Sequence, residues 1–169
     1  MKKIYLTIVA CTITALLSAQ EFAGSFLDKF GNDTDFEVVV IGKKMLNLIE
    51  GLTSNNPDLN EAIKELENIM IITSRDSTSS KGFYDSAYKL LANKKQGFEP
   101  LITVKDQEED LIVMAKESKG VIKELVLLSN NESGFNIISL NGKINLKTLA
   151  KLSDKIPGLK LLESIDSNE

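Results

Sequence analysis

The run "DLIVMAKESKGVIKELVLLSNNESGFNIISLNGK" (Asp110–Lys143) divides itself into three β-rich segments. Ser118-Lys119-Gly120 and Asn130 to Gly134 supply the polar breaks between them. A fourth segment, "EPLITVKD" (Glu99–Asp106), precedes them across Gln107-Glu108-Glu109. Apolar runs joined by such short polar connections predict an antiparallel meander, because parallel neighbours need a long crossover.

Upstream of Phe98 the periodicity alternates. "FEVVVIG" (Phe36–Gly42) is β-branched and nearly continuous, which predicts a buried strand. Met45, Leu46, Ile49 and Leu52 follow at helical spacing. A second helix is expected from Asn56 as cap and Pro57 in the first turn, with Leu59, Ala62, Ile63, Leu66 and Ile69 as its apolar face. "NIMIITS" (Asn68–Ser74) is the next strand, and "RDSTSSKG" (Arg75–Gly82) reads as a flexible loop. Phe83, Ala87, Leu90 and Leu91 mark a third helix, and "ANKKQG" ends it. After the meander, Asn145 caps a last helix with Leu146, Leu149, Ala150 and Leu152 inward, and Pro157-Gly158 stops it. The expected order is β-α-α-β-α-β-β-β-β-α. It describes an α+β two-layer sandwich, a mostly antiparallel sheet with helices on one face.

The N-terminus carries a different kind of signal. Met1-Lys2-Lys3 is a short basic region, Ile4 to Leu17 is mostly apolar, and Leu17-Ser18-Ala19 offers a cleavage site before Gln20. This is the pattern of a secretory signal peptide, with cleavage between Ala19 and Gln20. The apolar run of 14 residues is shorter than the roughly 20 that span a bilayer, so no permanent span is expected. The alternative is a lipobox at Ile8-Val9-Ala10-Cys11, which would leave a lipoprotein anchored at Cys11. It leaves only Ile4 to Ala10 as the apolar region and a second apolar stretch on the mature surface. The chain thus divides into a signal peptide (1–19), a lead-in segment (20–35), a single α+β domain (36–160) and a frayed tail (161–169). In the lead-in, Phe22, Phe26, Leu27 and Phe30 suit a short amphipathic helix stopped by Gly31 and Asn32.

Composition excludes more chemistry than it offers. The chain has no His and no Trp, and its only cysteine is Cys11 in the leader. Histidine-dependent nucleophilic catalysis and His-ligated metal sites are therefore excluded. The net charge of −4 and the single arginine, Arg75, speak against nucleic acid as a partner.

A resemblance is visible in "VVVIGKKMLNLIEGL" (Val38–Leu52), "NIMIITS", and "ELVLLS…NIISLNGKINLKTLAKL" (Glu124–Leu152). On these stretches the chain resembles the secreted domain-of-unknown-function family 4252, found mainly in Bacteroidota. The resemblance implies an exported α+β domain with no catalytic residues to carry over. It also implies company with envelope regulatory systems.

The remaining motifs are weak. Ser86-Ala87-Tyr88-Lys89 matches S-x-x-K, but the S-D-N and K-T-G partners are missing. Asp106, Glu108, Glu109 and Asp110 sit at an expected hairpin turn, where charge is simply solvated. "DKFGNDTD" (Asp28–Asp35) lacks the spacing of a calcium loop. Two carboxylates hydrolysing sugar would need an aromatic-rimmed cleft. Asn141-Gly142 suits positive φ and is expected to turn the last strand into the final helix. No enzyme, cofactor or metal is expected. The expected role is an interaction module for an envelope protein, bound through a sheet face or edge. Its candidate surface is Tyr84 and Tyr88 with Ile122, Val126 and Leu128. A small-ligand or lipid pocket between helices and sheet is the alternative.

Overall fold

The computed structural model describes residues 21–31, 36–52, 57–106 and 109–145. The expected signal peptide with its Ala19–Gln20 junction, Cys11, Asn56, Glu108 and the expected last helix lie outside the described residues.

Six strands form one antiparallel sheet: β1 (Glu37–Gly42), β2 (Leu66–Ser74), β3 (Phe98–Lys105), β4 (Glu109–Ser118), β5 (Val121–Asn131) and β6 (Gly134–Ile144). Their order is β1-β2-β6-β5-β4-β3, and every neighbouring pair is antiparallel. The meander from β3 to β6 is therefore as expected. β2 then adds to β6, and β1 to β2. Four α-helices are described: α1 (Phe22–Phe30), α2 (Lys43–Leu52), α3 (Pro57–Lys64) and α4 (Ser77–Leu91).

The α+β sandwich forms, but its helices divide between both faces of the sheet. Strand residues alternate in direction, so each strand feeds two cores. On one face Ile72, Ile112, Met114, Val126, Leu128 and Ile137 pack against α1 and α4. On the other, Leu66, Leu111, Val113, Leu125, Leu127 and Leu140 form a second core with Leu46 of α2 and Ile63 of α3. Helices come from both sides because α2 and α3 lie between β1 and β2, while α4 carries the chain from β2 to β3 across the opposite face.

All seven phenylalanines meet on the α1/α4 face. Phe26 is the hub, with ring centroids 4.9 Å from Phe30, 5.5 Å from Phe135 and 5.6 Å from Phe36. Phe22 bridges to Phe98, and Phe83 joins through Phe36 and Phe135. Such pairs contribute about 0.5–1.5 kcal/mol each beyond the area they bury. The lead-in helix is therefore a structural part of the domain.

Three local expectations change. Leu66 and Ile69, expected on the second helix, lie in β2, because α3 ends at Lys64. The Arg75–Gly82 segment is mostly helix, because the Asp76 carboxylate caps α4 by accepting from the Thr78 N–H at 3.0 Å. Its acceptor bonds hold that carboxyl below the usual range. Gly142 does not turn the chain out of the sheet. It lies inside β6 at φ +139°, and a Cβ there would stand 2.3 Å from the Glu65 carbonyl oxygen. Only glycine lets the start of β2 approach so closely. Gly97 also has positive φ, +74°, but open space around it.

Gly142→Ala is expected to cost about 2–3 kcal/mol, and Gly97→Ala only about 1 kcal/mol. Urea denaturation of both variants measures the difference. Equal losses would mean that close approach at Glu65 does not matter.

Candidate functional site

β1 is where the structure departs most from expectation. Its valines are not buried: Val38, Val39 and Val40 are 41%, 43% and 57% exposed. Among the described residues β1 is an edge strand, with β2 as its one neighbour. Its pairing to β2 runs without a bulge from Glu37↔Thr73 to Gly42↔Asn68. The next helix extends the apolar surface. Leu46 turns inward, while Met45 and Leu48 of α2 are 52% and 64% exposed. The expected inward face of Met45 is corrected accordingly.

The opposite edge, β3, is built differently. It carries Glu99, Pro100 and Lys105, all exposed, and its register shifts between Pro100 and Ile102. Charge, proline and a bulge are the usual devices that keep an edge from pairing with another chain. β1 has three consecutive valines, no proline and no bulge, and its one charge, Glu37, stands at the end of the strand. With about half of each valine still in water, roughly 2–4 kcal/mol of apolar burial is unrealised along the strand.

The surface expected around Tyr84 and Tyr88 is only partly present. These rings stack with centroids 6.5 Å apart and planes 2° from parallel, and Tyr88 is exposed. Burial pushes the Tyr84 hydroxyl up to about 12, with the negative charge of Asp110 adding to the effect. That phenol stays protonated at physiological pH. Val126 and Leu128 are fully buried beneath the helices and present nothing to a partner. Ile122 packs in the other core, because the β5–β6 register shifts between Ile122 and Glu124 and turns it to the opposite face.

A polar network escaped the sequence reading. Glu124 is buried, and its Oε1 accepts the Phe22 N–H at 2.7 Å and the Ser139 hydroxyl at 3.2 Å. Asn141 donates to Ser139 and to Asn68, and Asn68 donates to Glu21 at 2.7 Å. The carboxylate thus satisfies the first amide of α1, which no residue of the helix can reach. Burial pushes the Glu124 carboxyl up. The bonds from Phe22 and Ser139 and the charge of Lys116 oppose that shift, and Glu21 reinforces it. The available signal was a lone Glu in "VIKELVLLS", at the parity of Val126 and Leu128.

The remaining candidates are ordinary surface. Ser86 is half-buried on α4 and Lys89 is exposed. Asp106 accepts the Glu109 N–H at 2.7 Å, and Asp110 pairs with Lys81 at 3.2 Å. Among the described residues no group of three or more metal-binding side chains comes together, and no helix is long and apolar enough to cross a membrane. One cleft of about 520 Å³ opens between α3 and the Val121–Ile122 and Ile144 ends of β5 and β6. Ala62 and Leu66 line it, and Glu61, Glu65 and Glu117 rim it.

The model of the family described as "Domain of unknown function (DUF4252)" matches residues 30–152. The chain belongs to that family. The DUF4252 match includes all six strands and α2 to α4, and leaves Phe22 and Phe26 of α1 outside it. No curated protein and no solved structure matches the chain.

The Glu124 carboxyl is raised above its ordinary 4.5, so the folded state binds its proton more tightly than the unfolded state does. The stability this adds is fully present below pH 4.5 and is lost as pH rises through the raised value. Glu124→Gln, which keeps an acceptor oxygen, should remove that part of the pH dependence. Glu124→Ala should cost about 1–3 kcal/mol by orphaning the Phe22 amide and the Ser139 hydroxyl. Thermal melts across this pH range measure both. An unchanged slope in the Gln variant would exclude Glu124 as the titrating group.

Proposed function

We propose that this domain is a non-enzymatic, exported protein-interaction module of the bacterial envelope, and that it docks its partner by strand addition at β1. The observation that carries this reading is the contrast between the two sheet edges. β3 has proline, charge and a bulge, whereas β1 leaves Val38, Val39 and Val40 open and its outer backbone groups free to pair. Strand addition takes its affinity from main-chain hydrogen bonds and its selectivity from alternate side chains. The leader of basic, apolar and small residues ending at Ala19 supports export.

The cleft beneath α3 favours a second reading, a small-ligand site. Its apolar floor and three rim carboxylates, one of them paired with Lys143 at 3.5 Å, suit an amphiphile with a cationic head.

One experiment addresses both. A photo-crosslinking residue is placed at Val39 or, as control, at Leu101 on β3, and the chain is irradiated in cells. Position 39 should give a protein adduct and position 101 none. Intact-mass spectrometry of the native product reads the mature start, expected at Gln20, and any retained ligand. Equal labelling at both positions, or none at 39, removes the strand-addition reading. A stoichiometric small molecule in its place favours the cleft.

A further inference from the structure

The edge contrast narrows the partner further. Resting on the strand-addition reading, we propose that the occupant of β1 is a second copy of this chain, its β1 running antiparallel against the first across a twofold axis, so that the two sheets become one.

The charges at the ends of β1 select this arrangement. The strand begins at the acidic Glu37 and runs into Lys43 and Lys44 at the start of α2. An antiparallel self-pair brings each acidic end to the basic end of the other copy. A parallel pair would set Glu37 against Glu37. Lys43 is fixed at that end, because its ammonium donates to the carbonyls of Lys64 and Leu66 at 2.7 and 2.8 Å. Lys44 beside it is exposed. Among the described residues Glu37 makes a loose ion pair with Arg75 at 3.6 Å, both side chains largely in water. That contact leaves its carboxylate open to a second cation.

The side-chain pattern fits the same axis. Residues directly opposite in an antiparallel pair share a face. A register centred on Val40 sets Val40 against Val40, Val39 against Ile41 and Glu37 against Lys43. Glu37, Val39 and Ile41 lie on the face that α2 covers, as Ile41 packs in the core with Leu46. The exposed Met45 and Leu48 of each copy add to the buried surface there. The assembly also closes. An isologous twofold pair uses both β1 edges, and the proline- and charge-bearing β3 edges at its ends add no further copy.

Sedimentation equilibrium of the purified exported chain tests this at micromolar concentrations. The wild type should show a monomer–dimer equilibrium, and Val39→Lys should be monomeric, with a cooperative melt that, unlike the wild type's, does not shift with protein concentration. Glu37→Lys alone and the double variant Lys43→Glu/Lys44→Glu should each weaken the dimer about tenfold, because each homodimer then carries like charges at both ends. An equimolar mixture of the two should restore it, because the mixed pair has opposite charges at both ends. A monomeric wild type, or a mixture that does not recover, overturns self-pairing. If a Val39 crosslinker then captures a different protein, strand addition stands and only the identity of the occupant is wrong. If it captures nothing, both readings fall.

Discussion

A sheet whose faces are both covered meets water through its backbone only at its two edges. That constraint governs this molecule. Phenylalanines fill one face beneath α1 and α4, and leucines and valines fill the other beside α2 and α3. What remains open is the outer row of amides and carbonyls on β1 and on β3. The chain treats these two rows oppositely, and the asymmetry gives the fold a direction: one end carries proline and a bulge, and the other leaves three valines open.

The covering of the first face rests on few contacts. α1 is nine residues long, too short to be stable alone in water. It is held by the Phe26 hub and by the Glu124 carboxylate at its first amide. The same carboxylate is tied through Ser139, Asn141 and Asn68 to two neighbouring strands. A buried charged group is costly unless its lone pairs are met. Here they are met by groups that would otherwise be orphans themselves, so helix and sheet satisfy each other.

Much of this was legible in the residues. The meander follows from turn chemistry between apolar runs, and the strands and helices fall close to where periodicity puts them. Three misreadings share one physical cause: what surrounds a residue is set by distant chain. "VVVI" looks the same in a central strand and in an edge strand, and strand order decides which it becomes. The β5 register shift turns Ile122 away from Val126 and Leu128, and a one-residue slip leaves no trace in hydropathy. Gly142 has the same identity whether it ends a strand or admits a neighbouring backbone. The Arg75–Gly82 segment was misread for a local reason, since serines that suggest a loop also suit the first turn of a capped helix. The lone Glu124 was visible. Its partner was not, because the Phe22 amide lies 102 positions away.

Strand order also sets a schedule for assembly. β1 and β2 emerge first from the ribosome, yet β2 completes its pairing only on β6, the last described strand. The meander from β3 to β6 can form from near neighbours as it appears, with short loops to close. The β1–β2 hairpin must wait with two apolar edges open. Its β2 edge is buried when β6 arrives. During synthesis, the period between those events is when this chain is most prone to aggregate, and a chaperone that shields strands would have most effect then.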